Sequence, residues 1–503
     1  KGKNASISLR YAEGLYNEQY MKGNRNSIEG KTLIGRNDSI ICNGLDNQIY
    51  TTLMWRTYRY LQLNIHTSKE PLILNDIYGV FTGYPFKNNT SFVTDRPLLD
   101  SILQIGWRTA RLCANETYMD CPYYEQLQYV GDTRIQAMIS YFNSGDDRLA
   151  RNAITLIDNS RFSEGFTQSR YPTNQNNIIP PFSLHWIGML HDYFKYRPDM
   201  EFVKSKLPGT RQILSFFAGY QQANGLLKDI PFWNFTDWAE GNPRSWKFGT
   251  PPSGKNGTSS VIDLQLLWAY QEAAELENAV GMKALSDDYL QKAKLMKQSI
   301  VKTYWNPAKK LFADNAEQDS YSQHANILAI LTGVVIGEDA KYLYNQMMNS
   351  ADLAKASIYF QYYRNQALVK AGLGNDYLNH LDIWKENIRM GMTTWGEDSN
   401  VDGTRSDCHA WGASPNIEFF RTVLGIDSDA PGFAKVKIEP HLGDLKKING
   451  SMPHPNGVIK VKYNCDKKNR WTIVIELPSK ISGVLVWAGK SYRLKPGMNQ
   501  FNL

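Results

Sequence analysis

The stretch from Asp120 to Asp132 concentrates residue types that perform acid and base chemistry on sugars. It reads DCPYYEQLQYVGD and holds three carboxylates and three tyrosines, with no lysine or arginine between the acids. Carboxylates among aromatic rings are costly to desolvate unless they pair or perform chemistry. The stretch therefore predicts a sugar site, in which rings stack on apolar carbon faces and acids bind hydroxyls or move protons. The alternative is a plain helix start, in which Asp120 is the N-cap, but capping does not account for Asp132.

A second group of acidic and aromatic residues follows much later in the chain. Residues 393–398 read TTWGED, and residues 405–411 read RSDCHAW. Glu397 is the carboxylate that could pair with Glu125 across a sugar pocket, which is the minimum that glycoside hydrolysis requires. Taken alone, His409 is more simply interpreted as a packed or hydrogen-bonded histidine than as a ligand.

Both groups lie in a long region with helical periodicity. From Asp95 to about Gly425, apolar residues recur at helical spacing in about a dozen segments, one of them over 125–142. Few strand-like runs interrupt them, which disfavours a TIM barrel. The pattern predicts six helical hairpins closed into an (α/α)6 barrel. In a closed barrel the two ends of the chain are neighbours, so Glu125 and Glu397 are expected to face one cleft.

Strand-like alternation flanks the helical region on both sides. Ser6–Ala12, Ser39–Cys42 and Tyr58–His66 alternate apolar and polar residues, and alternation returns after Phe433. The predicted protein is multidomain and mainly α. It has an N-terminal β-sandwich over 1–94 that is incomplete at its start, a barrel over 95–428 and a C-terminal β-sandwich over 429–503. Two long loops, 161–181 and 229–258, are rich in aromatic residues and are expected to be functional.

Composition narrows the possible functions. The formal charge of +7 is spread along the 503 residues without a basic run, so nucleic-acid binding is not expected. The sequence contains no run of 18 apolar residues, so it predicts no membrane span. Aromatic residues reach 12%, a surplus that suits a carbohydrate-binding cleft as well as large interior packing. A carbohydrate is therefore the expected partner.

Cysteine and histidine spacing predicts neither a metal nor a cofactor. Five widely spaced cysteines form no C-x-x-C pair, and no H-E-x-x-H occurs among the eight histidines. The chain opens on KGKN without a leader sequence, so any export signal must already have been removed. A periplasmic or secreted location is expected, and an N-terminal segment or domain is expected to be missing.

At these motifs the chain resembles the α-L-rhamnosidases of glycoside hydrolase family 78. The stretch from Asp120 to Asp132 is similar to the shorter form of that family's first motif. The stretches TTWGE at 393–397 and SDCHAW at 406–411 are similar to its other signatures. The resemblance extends over nearly the whole chain, and the similarity is weaker around Glu13 and Pro431. It implies a bacterial enzyme that acts on carbohydrates such as polysaccharides.

The resemblance also implies roles for individual residues. Glu125 would be the general acid and Glu397 the general base of an inverting hydrolysis. Burial among tyrosines is expected to keep Glu125 protonated. The substrate-binding residues implied by the resemblance and by the aromatic loop near 231–238 are Asp120, Tyr124, Asp132, Trp233, Asp237, Trp238 and His409.

Two departures from the family pattern leave alternatives open. Tyr129 stands where a tryptophan is common, and Tyr124 stands where the longer motif carries arginine. Either change could shift the preferred sugar or weaken activity. The alternatives are an (α/α)6-barrel hydrolase or phosphorylase for a different sugar, and a non-catalytic glycan-binding relative. A phosphorylase is disfavoured because it would need a phosphate pocket in place of one carboxylate, and both Glu125 and Glu397 are present. A screen of aryl glycosides distinguishes the remaining alternatives.

Overall fold

The computed structural model describes residues 2–239 and 246–503. Along the chain it passes from short strands to a long helical region and then to a β domain. One hydrophobic core runs from Phe86 to Leu494 and joins the helical region to the β domain. None of the helices in the described residues combines the length and the apolar composition that a membrane span requires.

The N-terminal strands form one small antiparallel sheet. Strand β1 (Ser6–Ala12) lies between β2 (Arg36–Ile41) and β3 (Tyr60–His66). These strands match the three that alternation predicts, within three residues at each end. Strand β4 (Ser91–Val93) instead pairs with a strand of the C-terminal domain. The second sheet of an N-terminal sandwich does not occur in the described residues before the helices, so the sandwich stays a prediction.

Twelve α-helices follow in the described residues, and they alternate in burial. The helices are α1 (Pro97–Leu112), α2 (Val130–Ile139), α3 (Arg148–Asn159), α4 (Pro180–Tyr196), α5 (Met200–Ala218), α6 (Ser260–Val280), α7 (Lys283–Tyr304), α8 (Gln323–Leu331), α9 (Gly337–Asn349), α10 (Gln361–Lys370), α11 (Asp382–Arg389) and α12 (Pro415–Glu418). Helices α2 and α8 are buried over their whole length, whereas α3 and α11 bury only one face.

The even-numbered helices form an inner layer. Helix α2 packs on α4, α4 on α6, α6 on α8 and α8 on α10, while α12 returns to α2. This order brings the beginning and the end of the helical region together, as the sequence predicts. A two-stranded hairpin, β5 (Trp305–Asn306) and β6 (Leu311–Phe312), interrupts the helices.

The C-terminal β domain consists of two sheets. Its strands are β7 (Ile426–Ser428), β8 (Lys435–Ile438), β9 (Lys447–His454), β10 (Gly457–Cys465), β11 (Trp471–Leu477), β12 (Ser482–Trp487), β13 (Lys490–Leu494) and β14 (Gly497–Asn502). One sheet has the order β14-β11-β10-β9-β4, and the other has the order β13-β12-β8-β7. The side chains of both sheets, such as Ile473 and Leu485, join the common core. The predicted C-terminal β domain is confirmed.

Candidate active site

The first motif forms a closed turn rather than the beginning of a helix. The backbone N–H of Asp120 donates to the Leu127 carbonyl, and the Asp120 carboxylate accepts from the Leu127 N–H at 2.9 Å. Gln126 takes a left-handed φ of 59°, so the chain cannot continue as a helix there. Helix α2 starts only at Val130. The prediction of a helix over 125–142 is therefore wrong at its start, and Glu125 lies on the turn.

Glu125 lies on this turn with its side chain about a quarter exposed, and it contacts both aromatic and basic groups. The Tyr129 hydroxyl donates to its Oε2 at 2.8 Å. Arg405 Nη2 lies 2.8 Å from its Oε1, and Arg170 Nη1 lies 3.5 Å from its Oε2. The surroundings are therefore ionic as well as aromatic, unlike the purely aromatic ones that the sequence predicts.

Glu397 is held more tightly than Glu125 and is more deeply buried. The Glu397 N–H donates to the Ser406 carbonyl at 3.0 Å, and the Glu397 carbonyl accepts from Trp411 Nε1 at 2.8 Å. Arg405 binds its two carboxylate oxygens through Nε and Nη2, each at 3.0 Å. Burial alone would raise the pKa of Glu397, but the charges of His409 and Arg405 outweigh it and lower the pKa. Glu397 is therefore set up to remain an anion.

One guanidinium thus joins the two glutamates across the site. Arg405 Nη2 contacts Oε1 of both Glu125 and Glu397. Because both contacts are made by the same nitrogen, the separation of the two Oε1 atoms cannot exceed the sum of the two nitrogen–oxygen distances. Glu125 and Glu397 lie close together in the structure, as the sequence predicts. Their roles as general acid and general base stay predictions.

His409 and Asp132 form a buried pair beside the glutamates. His409 Nε2 lies 2.9 Å from Oδ1 of Asp132, and both side chains are almost fully buried. Burial opposes charge on His409, but the hydrogen bond to Asp132 and the neighbouring anions, including Glu397, raise its pKa well above the ordinary value. Burial raises the pKa of Asp132 despite the bond from His409. These contacts therefore favour the positively charged form of His409 beside Asp132 and Glu397.

Tyr124 connects the motif to the N-terminal region. Its hydroxyl lies 3.5 Å from that of Tyr16, and the Arg405 guanidinium lies over its ring at 5.4 Å. Arg36 donates to its backbone carbonyl at 2.8 Å. The N-terminal region therefore contributes Tyr16 as a neighbour of Tyr124, a contact that no sequence pattern predicts.

A buried ionic network anchors the loop that carries Arg405. Asp407 accepts from Arg25 and Lys22, and its N–H donates to Glu13 at 3.0 Å. Lys22 also donates to the Arg405 carbonyl at 2.7 Å. Burial raises the pKa of Glu13 to about 8, and the nearby charge of Asp407 adds to this effect. The N-terminal region thus fixes the backbone on which Arg405 sits.

The aromatic loop near 231–238 folds as a small cluster. Trp233 contacts Phe235 with a ring-centre distance of 5.2 Å, and Phe235 contacts Trp238 at 4.9 Å. Trp233 Nε1 donates to the Phe248 carbonyl at 2.9 Å. Six residues of the long loop predicted over 229–258, 240–245, lie outside the described residues.

Asp237 anchors this loop from beneath. Oδ2 of its fully buried carboxylate lies 2.7 Å from His324 Nε2 and accepts from the Ser357 N–H at 2.8 Å, and the Ser357 hydroxyl donates to Oδ1. Both oxygens therefore have protein partners, and the sugar-binding role of Asp237 stays a prediction. Tyr359 connects this loop to the acidic site. Its ring stacks on Trp411 at 4.5 Å, and burial raises its pKa, with smaller effects from Asp132 and Asp237.

Three potential metal ligands meet in space although their sequence spacing does not predict it. The ligand atoms of Asp120, Cys121 and His409 all lie within 4.8 Å of one another. The Cys121 thiol donates to the Asp120 carboxylate at 2.9 Å, and burial raises the pKa of Cys121 to about 11. Burial also raises the pKa of Asp120 to about 7. Because thiolates and carboxylates bind metals in their deprotonated forms, this group fits a hydrogen-bonded cluster better than a metal centre.

Sequence reasoning missed the two arginines that contact Glu125. In the sequence, Arg405 is only the residue before the SDCHAW motif at 406–411, and Arg170 is only one of the residues of the long loop 161–181. A loop rich in aromatic residues was the sole available signal for Arg170. Its pairing with Tyr129 through an isolated backbone bridge depends on the tertiary fold.

Comparison with known proteins gives two family matches that together span most of the chain. The model of the bacterial alpha-L-rhamnosidase 6 hairpin glycosidase domain matches residues 87–423. The model of the bacterial alpha-L-rhamnosidase C-terminal domain matches residues 425–500. No curated protein sequence matches the chain.

Several solved structures share the fold. A family GH78 rhamnosidase of Bacillus sp. GL1 is 24% identical with a TM-score of 0.83, over 96% of this chain and 50% of that one. The α-L-rhamnosidase from Dictyoglumus thermophilum is 17% identical with a TM-score of 0.80, over 100% of this chain and 59% of that one. An α-L-rhamnosidase of Streptomyces avermitilis complexed with L-rhamnose is 14% identical with a TM-score of 0.78, over 100% and 50%. The chain therefore spans about half to three fifths of these relatives.

Proposed function

Because this chain belongs to the bacterial α-L-rhamnosidases with a six-hairpin glycosidase domain, we propose that it is an inverting glycoside hydrolase. It releases terminal α-L-rhamnose from a polysaccharide or glycoside. The observation that carries the proposal is the pair of carboxylates, Glu125 and Glu397, that share one nitrogen of Arg405. Two carboxylates across a cleft are the groups that an inverting glycosidase uses as acid and base.

In this proposal the two glutamates have different tasks. Glu397 is the base: its lowered pKa keeps it ionised, so it can take a proton from the attacking water. Glu125 is the acid: it gives a proton to the leaving glycosidic oxygen as the bond to the sugar breaks. Its side chain is 26% exposed against 7% for Glu397, as suits a group that faces the departing part of the substrate.

The neighbouring residues would hold the rhamnose. Asp120, with a pKa of about 7, can donate or accept a hydrogen bond at a sugar hydroxyl. Asp120 and Asp132 would hold ring hydroxyls and stabilise the cationic transition state. His409 would bind a sugar hydroxyl, and Tyr124 would line the cleft. Trp233 or Trp238 would cover the C5 methyl group, whose burial contributes about 1 kcal/mol. Asp237 would contribute to the same pocket by holding the loop that carries Trp233 and Trp238 in place.

The architecture and location belong to the same proposal. The two helical layers would form an (α/α)6 barrel over 95–428, flanked by an N-terminal β-sandwich over 1–94 and a C-terminal β-sandwich over 429–503. The enzyme would work in the periplasm or outside the cell, on a carbohydrate and not on nucleic acid. Cell fractionation followed by an activity assay tests the location.

A screen of aryl glycosides on the purified chain tests the activity. We expect release of nitrophenol from p-nitrophenyl α-L-rhamnoside and much slower release from other aryl sugars. The variant Glu397→Gln is the matched control because it removes the base and keeps the side-chain shape. Faster cleavage of a different sugar would favour a hydrolase of other specificity. Binding of rhamnosides without turnover would favour a non-catalytic glycan-binding protein.

A further inference from the structure

Two arginines flank Glu125, and they come from distant parts of the chain. Arg405 reaches its Oε1 from the loop after Glu397, at 2.8 Å. Arg170 reaches its Oε2 from the long loop between α3 and α4, at 3.5 Å. Their side chains are 46% and 16% exposed, respectively, so both border the cleft rather than the core. The carboxyl group proposed as the acid is therefore covered by two guanidinium groups.

The charges around Arg170 do not balance once Glu125 carries a proton. In the described part of the chain, Glu125 is the one carboxylate within ion-pair distance of Arg170. Its other contacts are the hydroxyl and the ring of Tyr129, and its buried Nε has no hydrogen-bond partner. Arg405, in contrast, keeps Glu397 as a bidentate partner. A neutral Glu125 would leave Arg170 as a partly buried cation without an anion, which is an unfavourable state.

We infer that the substrate supplies the missing anion, as a carboxylate on the sugar to which the rhamnose is attached. This inference rests on the proposed function. The acid must contact the leaving oxygen, so a guanidinium 3.5 Å from that acid lies within about one sugar ring of the scissile bond. A planar guanidinium binds a carboxylate through two parallel hydrogen bonds, and it is the preferred side chain for this purpose. The substrate class is thus a rhamnosyl uronic acid, either free or at a polymer end.

The net charge of the protein agrees with an acidic substrate. The chain carries a formal charge of +7, which attracts a polyanion at low salt. This long-range effect is screened beyond about 8 Å at physiological salt. The contact of Arg170 with a bound uronate is shorter and partly buried, so it is expected to survive at that salt concentration.

The test compares three matched disaccharides: α-L-rhamnosyl-(1→4)-D-glucuronic acid, its methyl ester and α-L-rhamnosyl-(1→4)-D-glucose. We expect kcat/KM for the acid to exceed that for the ester by about tenfold or more, the scale of one charge-assisted hydrogen bond. In Arg170→Met this ratio should fall towards one, and in Arg170→Lys it should be intermediate because the charge stays and the two-pronged geometry is lost. Arg493→Met, which removes an exposed arginine on β13, should leave the ratio unchanged.

The ratio is measured within each variant, so a general loss of activity does not affect it. If the wild-type chain cleaves all three disaccharides equally well, the inference is wrong while the proposed function stands. A preference that persists in Arg170→Met, with a folded variant by circular dichroism, would also overturn it. If none of the three substrates nor the aryl rhamnoside is cleaved, the proposed function itself fails.

Discussion

Glu125 and Glu397 are joined by one nitrogen of Arg405, which lies 2.8 Å from Oε1 of Glu125 and 3.0 Å from Oε1 of Glu397. The two carboxylates come from opposite ends of the helical region, and the guanidinium fixes their spacing. It also distinguishes them, because Glu397 receives two bonds from Arg405 and Glu125 receives one. The site is therefore asymmetric before any substrate binds.

The acid role of Glu125 predicts a dependence on the leaving group. Glu125→Gln cannot donate a proton, so turnover of rhamnosides with poor leaving groups should fall by at least about 10²-fold. An activated aryl rhamnoside should lose much less, because its leaving group needs little protonation. Steady-state kinetics on a series of aryl rhamnosides checks this. Equal losses across the series would remove Glu125 from the acid role.

The ion pair between Arg405 and Glu397 predicts a shift of the acidic limb of the pH profile. Glu397 must be ionised to act as a base, and its lowered pKa keeps activity present down to low pH. Arg405→Met removes one of the charges that lower this pKa, so the acidic limb of kcat should move upward by about one pH unit. Arg405→Lys should restore part of the shift. A limb that does not move in Arg405→Met would show that Arg405 does not control Glu397.

Much of this site could be predicted from the sequence, but the contacts that complete it could not. The acids at 120–132 and at 397 stand out by type and spacing, and helical periodicity implies that the chain ends meet. Arg170 and Arg405 carry no such pattern, since an arginine in a loop is usually solvated. Their role depends on contacts between residues far apart in the chain, which local periodicity does not encode.

One error and one omission have similarly local causes. Apolar periodicity continues upstream of Val130, so it extends the predicted α2 to Glu125, although Asp120 closes a turn there and Gln126 has positive φ. Alternation predicts the three N-terminal strands but not their partners. The pairing of Ser91 with Ser451, which attaches β4 to the C-terminal sheet, connects residues at opposite ends of the sequence.

The buried pair of His409 and Asp132 predicts that stability falls as pH rises. The pKa of His409 is raised on folding, so its contribution is fully present below the unfolded value of about 6.5 and is lost as pH rises through the folded value. Urea unfolding from pH 6 to pH 9 should therefore show decreasing stability.

Removal of one member of this pair should be severe. His409→Gln leaves Asp132 buried without its cation, and breaking a buried pair in this way typically costs about 3–5 kcal/mol. The pH dependence above should also become flatter in this variant. His66→Gln, at an exposed histidine on β3, is the control and should change little. A stability of His409→Gln equal to that of the wild type would contradict an ionic pair.

Chemistry should not depend on a metal ion. Although Asp120, Cys121 and His409 lie close together, the thiol donates to the carboxylate, and its pKa of about 11 keeps it protonated at neutral pH. We expect that dialysis against EDTA leaves activity within about twofold of the untreated enzyme, since metals bind thiolates rather than thiols. Cys121→Ser should likewise remain active. Complete inactivation by EDTA that one divalent ion reverses would show that the cluster binds a metal.

Hydrolysis should invert the configuration at the anomeric carbon. Inversion requires room for a water molecule between the carboxylates, whose separation is then about 6.5–9.5 Å, whereas retaining pairs lie at about 5–5.5 Å. In the structure, the Oε1 atoms of Glu125 and Glu397 contact the same nitrogen of Arg405 at 2.8 Å and 3.0 Å, so they lie closer together than the inverting range. The proposed inversion therefore requires the two carboxylates to separate when substrate and water replace the contact between Arg405 and Glu125. Proton NMR of the first product from an α-rhamnoside should then show the β-anomer before mutarotation. Initial appearance of the α-anomer, or a trapped glycosyl ester on Glu397, would make Glu397 a nucleophile instead of a base.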